Sequence, residues 1–150
     1  MSDNGDRSPW AVDHDRTTPL DRDTCVRLLQ GEAVGRIGVS VDALPAVLPV
    51  NYMVFGNQVV FRTAAHSRLA RAVLNQVVAF EVDHTDVETM LGWSVLVVGR
   101  ADELHDPHLL DRVEARGLRP WAGGQRDHLV GIDLDRVTGR RIVPAGVAVA

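Results

Sequence analysis

Between Trp93 and Leu104 the chain reads as a strand without a polar face: Trp93, Val95 and Val97 fall on one side, Ser94, Leu96 and Val98 on the other. Side chains alternate across a strand, so a segment that is largely apolar on both faces has to be covered on both. A chain of 150 residues holds one domain and one substantial core. One cover is then the inside of a closed sheet, and the other is a second subunit.

The remaining pattern agrees with a closed sheet. From Val34 the period is two, with Ile37, Val39 and Val41 alternating against Arg36, Gly38 and Ser40. Asp42-Ala43-Leu44 turns the chain into a strand over 45–54, Gly56-Asn57 suits a tight hairpin, and 58–63 runs back. Further strands are predicted over 77–83, 93–104, 128–134 and 137–143, with a polar loop between 83 and 93. Three helices fit between them. The first is capped by Asp21 and ended by Gly31 in the left-handed conformation, the second covers 66–75, and the third starts at Asp106-Pro107 and stops at Gly117. Strands outnumber helices with no βαβ rhythm, which predicts a mainly β antiparallel barrel or sandwich. Pro49 has no N–H to donate within its strand, and marks either a seam where the sheet opens or an ordinary edge strand. Residues 1–20 lack a period and read as a disordered N-terminal tail carrying Trp10, ahead of a folded domain over 21–150.

Composition narrows the function. A formal charge of -4 argues against a nucleic-acid partner. Cys25 is the single cysteine, so neither an intramolecular disulfide nor a thiolate metal cage can form. The apolar runs fall short of the ~20 residues needed to span a bilayer, and the expectation is a cytoplasmic protein with no membrane partner. His105 with His108, and His84 with Asp83 and Asp86, read as solvated turns, so no metal is expected. Arg140 and Arg141, the basic pair late in the chain, read as surface arginines of a terminal strand. The sequence offers no nucleophile elbow, phosphate loop or acid–base pair, and catalytic residues are not identifiable from it.

The segment Phe61-Arg62-Thr63-Ala64-Ala65-His66-Ser67-Arg68-Leu69 carries chemistry. A strand ends in Arg-Thr and a helix starts at Ser67 with Arg68 and Arg71 in its first turn, where the macrodipole favours acids. Backbone amides, two hydroxyls and guanidinium groups converging in one place suit a phosphate monoester. The alternative is that Arg68 and Arg71 are solvated or pair with Glu81 or Asp83.

The order of these segments also carries a resemblance: PVNY (Pro49–Tyr52), VVFRTA (Val59–Ala64), SRL (Ser67–Leu69), VVAFEVD (Val77–Asp83) and WSVLVVGRA (Trp93–Ala101). Across residues 21–143 the chain resembles the flavin-binding split β-barrel family, and within it the pyridoxamine 5′-phosphate oxidase-like proteins. The resemblance implies a six-stranded antiparallel Greek-key split β-barrel with short flanking helices, and a homodimer with FMN held at the subunit interface. It also implies an oxidoreductase acting on an unidentified small molecule. Position by position, it puts Arg62 and Thr63 beside the flavin phosphate and ribityl chain, with Ser67 and Arg68 on the phosphate. Pro49, Val50, Asn51 and Tyr52 would lie along the ring, with Trp93 as a ring neighbour and Ser94 as a polar contact. Leu69 stands where true oxidases of the family have Lys. That departure leaves room for the deazaflavin F420 or for an empty site, and the alternatives in function are an F420-dependent reductase and a flavin carrier without turnover.

Overall fold

The computed structural model describes residues 17–119 and 127–143, and strands dominate them. In chain order the elements are β1 (Thr17–Leu20), α1 (Arg22–Gly31), β2 (Val34–Val41), β3 (Leu44–Phe55), β4 (Gln58–Thr63), α2 (Arg68–Val73), β5 (Gln76–Asp86), β6 (Leu91–Leu104), α3 (Leu109–Ala115), β7 (His128–Asp133) and β8 (Arg136–Ile142). Trp10 and Trp121 lie outside the described residues.

Two tight turns set the first register. Asp42 and Ala43 both take positive φ, 49° and 63°, which matches the twist of the strands they join. Gly56, at φ 61°, is the first central residue of the β3–β4 turn. The chain then crosses from β4, through α2, to the far side of β2. The ladder order is β6–β5–β2–β3–β4–β7, and β7 pairs back onto β6. The result is the expected six-stranded antiparallel Greek-key barrel, closed, with β8 and β1 added beside it.

Closure depends on β6, which lies along β5 from Leu91 to Ala101. Its other edge is shared: Gly92–Val98 pair with β8, and Ala101–Leu104 pair with β7. Gly99 stands at the handover, where a Cβ would sit 2.5 Å from the Asp133 carbonyl oxygen. Only a residue without a side chain lets β7 turn in that closely.

The inner faces of the strands form the main core, with Ile37, Phe61, Phe80, Val95 and Ile132 fully buried. α1 contributes Cys25 and Leu29, one turn apart, and α2 contributes Val73. The Asp21 carboxylate accepts the Thr24 amide at 2.8 Å and so caps α1, a bond that holds its pKa below the usual range. α3 covers part of the outer face, where Val60, Leu109, Val113, Leu118 and Leu129 make a second cluster. Gly117, at φ 96°, ends this helix as expected.

Five expectations need correction, one of them at α3, which starts at Leu109 with His108 as its N-cap, while the Asp106 carboxylate accepts the His108 amide at 2.9 Å in a turn before it. Thr17–Leu20 belong to the sheet, pairing with β8 from Ile142 to Gly139, whereas a tail was expected up to residue 20. Gly31 is the last helical residue rather than a left-handed stop, and Glu32 leaves in extended conformation. The polar loop between 83 and 93 is mostly strand, leaving only 87–90 as the hairpin turn. α2 is shorter than 66–75, because His66 and Asn75 both take positive φ and bound it.

Candidate functional site

β3 outruns one of its partners. It pairs with β2 from Leu44 to Asn51, but with β4 only from Tyr52 to Phe55. The Tyr52 amide donates to the Ala33 carbonyl at 3.1 Å, on the β2 side. Backbone groups alternate along an antiparallel strand, so those of Pro45, Val47, Pro49 and Asn51 point the other way, into the gap. Both prolines stand on that open register, and their missing N–H takes nothing from the β2 ladder. Pro49 therefore marks a seam. Continued past Tyr52–Phe61, the register would face Asn51 with Arg62 and Val50 with Thr63, so the end of β4 and the turn into α2 form the opposite bank.

That bank is held by hydroxyls. Thr63 is fully buried, with its Oγ1 2.8 Å from Ser67 Oγ. Ser67 Oγ accepts the Ala70 amide at 3.0 Å and caps α2. When Thr63 donates to Ser67, the Ser67 proton remains available to a ligand. The Ser67 amide closes a turn onto Ala64 O at 3.2 Å, and Arg71 reaches back to His66 O at 3.0 Å. Arg71 thus braces the turn instead of meeting Glu81 or Asp83, whose partner is Arg36, 3.3 Å from each. Arg68 is exposed and has no hydrogen-bond or ion-pair partner among the described residues.

Several of the expected site residues serve the fold. The Arg62 side chain is only 7% exposed; it meets Glu114 at 2.8 Å, Asp127 at 3.5 Å and the Leu118 carbonyl at 3.3 Å. A guanidinium already neutralised under α3 is not a phosphate ligand in this arrangement. Its counter-ions Glu114 and Asp127 carry no local sequence signal. Tyr52 is buried, edge-on to Phe80 with ring centroids 4.8 Å apart, and its hydroxyl donates to Leu29 O at 2.5 Å. Burial pushes that phenol's pKa far up, and the bond ties α1 to the sheet. Asn51 donates to the Arg119 carbonyl at 2.6 Å, beside a cleft of about 380 Å³ between the ends of α1 and α3.

Trp93 and Ser94 do not join the seam within one chain. They lie on β6, three strands from β3 in either direction around the barrel. Trp93 is half-buried beside His84, and Ser94 is exposed on the outer face. Among the described residues, no three His, Cys, Asp or Glu side chains gather as a metal site. Nor is any helix among them long and apolar enough to cross a membrane.

Known proteins share this architecture. Residues 21–141 match the family model described as pyridoxamine 5′-phosphate oxidase. The uncharacterized protein Rv0080 of Mycobacterium tuberculosis is 40% identical over 129 residues, 83% of this chain and 84% of its own length. Among solved structures, the FAD binding protein from Mycobacterium smegmatis is 34% identical with a TM-score of 0.66, over 84% of this chain and 98% of that one. A FAD-binding protein from Mesorhizobium loti is 25% identical with a TM-score of 0.67, over 83% and 96%.

Proposed function

The chain belongs to the pyridoxamine 5′-phosphate oxidase-like family, and on that premise we propose that it binds a flavin nucleotide in the seam, as a homodimeric oxidoreductase acting on a small molecule. The observation that carries this reading is Arg68. It is an exposed cation without a partner among the described residues, next to the Ser67 hydroxyl on the bank of an opened sheet. An anionic group seated there gains a charge-assisted bond from Arg68 and a hydroxyl bond from Ser67. Pro49 and Asn51 offer a planar ring an edge with open backbone groups, with Val50 between them held to β2. FMN and FAD share the first phosphate, and the two solved relatives described as FAD-binding favour the dinucleotide over FMN. When bound, the flavin supplies the redox chemistry; the chain's own residues hold it and shape access.

An absorption spectrum of the protein with FMN, FAD or F420 added separately identifies the cofactor. Arg68→Ala is expected to weaken FMN and FAD binding by roughly 5- to 30-fold, about 1–2 kcal/mol, the lower part of the charge-assisted range because Arg68 is exposed. Riboflavin, which lacks the phosphate, should bind wild type and variant alike. Equal wild-type affinity for riboflavin and FMN would remove the phosphate seat.

The second copy is proposed from the outer face. Val47, Gly38, Ala79 and Val98 form one cross-strand row there. Val47 is 68% exposed, and Val77, on the same face of β5, is 72% exposed. A continuous apolar strip of this kind on a small domain favours a partner. Sedimentation at micromolar concentration should give twice the chain mass. A monomer would leave Ser94, on that outer face, with no route to any seam.

A further inference from the structure

The inner face of the sheet continues past the helix that covers it. Val82, Val95 and Gly139 form one cross-strand row on β5, β6 and β8. It is sealed by α1: Cys25 Sγ lies where a Cβ on Gly139 would come within 2.5 Å. Two residues further along each strand, on the same face, the next row is His84, Trp93 and Arg141. No part of α1 is among the residues lining the space over this row, which is a cleft of about 480 Å³ with apolar walls from Leu91, Ile142 and Val143. The His84 and Trp93 rings stack there, centroids 6.4 Å apart and planes 20° from parallel.

The charges at the cleft differ in what they already serve. Asp86 accepts the amides of Glu88 at 2.9 Å and Thr89 at 3.2 Å, and these bonds hold its carboxyl below the usual range. His84 leans on Glu32 at 3.7 Å. Arg141 has no ion-pair or hydrogen-bond partner among the described residues. A flat aromatic floor, apolar walls and, beside the floor, one cation uncompensated among the described residues make a combined requirement.

We propose that this cleft binds a planar aromatic anion, with its ring on Trp93 and its carboxylate on Arg141, as a ligand distinct from the flavin in the seam. The assignment stands on the row His84–Trp93–Arg141 and does not need the seam to be occupied.

Calorimetric titration of the full chain, as purified and again saturated with FMN, tests it with 2-naphthoate and the neutral 2-naphthalenemethanol. Naphthoate should bind about 5- to 10-fold tighter than the alcohol, since an exposed guanidinium adds about 1–1.4 kcal/mol to a charged ligand. Arg141→Gln should abolish that preference while leaving the alcohol's affinity as it was, and Trp93→Leu should weaken both. Equal affinities in the wild type, a preference that survives Arg141→Gln, or no heat with either probe would each overturn the proposal. So would displacement of naphthoate by FMN, which would return the cleft to the cofactor. Failure of FMN to bind at all would leave this assignment intact and sink only the seam reading.

Discussion

The barrel changes its pairing at two places, and the chain treats them in opposite ways. At the seam β3 runs on without β4, and two prolines, Pro45 and Pro49, occupy the open register. At the handover β6 exchanges β8 for β7, and Gly99 lets the new strand approach to contact distance. Proline keeps an edge open because it cannot donate to a newcomer; glycine lets an edge close because nothing projects from it. An opening in a barrel therefore has to be built as deliberately as a closure.

Substitution at the two places should separate these roles. Gly99→Val is expected to have the largest effect, about 3 kcal/mol of destabilisation in denaturant unfolding, because the obstacle is the backbone of Asp133 and not a flexible side chain. A loss below ~1 kcal/mol would mean that β7 can retreat without undoing the barrel. Val50→Pro comes next, at about 2 kcal/mol, since the Val50 amide faces β2 and its bond is lost. Pro49→Ala, one residue away, should lower stability by at most ~1 kcal/mol, through the unfolded chain alone. If the two proline exchanges affect the melting transition equally, the alternation assigned to β3 is out of register.

How much of this was legible depends on the range of the interaction concerned. The hairpins joining β2, β3 and β4 are local: alternation fixes their faces, and Asp42-Ala43 and Gly56-Asn57 fix the turns. β1 was not legible, because Thr17–Leu20 show no period of their own and become a strand only through β8. The polar stretch His84–Asp86 looked like loop because part of it faces the cleft at the row of Trp93, where no core demands apolar residues. At the candidate site, Pro49 left a seam and an ordinary edge strand equally open, and the register of β3 against β2 and β4 is what separates them. Arg62 misled: a strand-end arginine looks available for phosphate until Glu114, 52 residues later, is folded against it. Arg71 misled in the same way, since a bond to the His66 carbonyl depends on the turn and not on residue type. The hairpin turns were readable, and charge compensation was not.

The placement of β7 has a consequence for how the protein is made. One of its edges pairs with β4, the other with the end of β6, so it is the last stave of the barrel. During synthesis from the N-terminus, Gln58–Thr63 and Ala101–Leu104 are finished while their shared partner, His128–Asp133, is still unmade. The nascent chain therefore presents two bare strand edges to its surroundings until at least residue 133 has left the ribosome. A sheet exposed in that interval is vulnerable to pairing with a neighbour. The same long-range closure slows folding, because widely separated segments must meet before the core can be sealed.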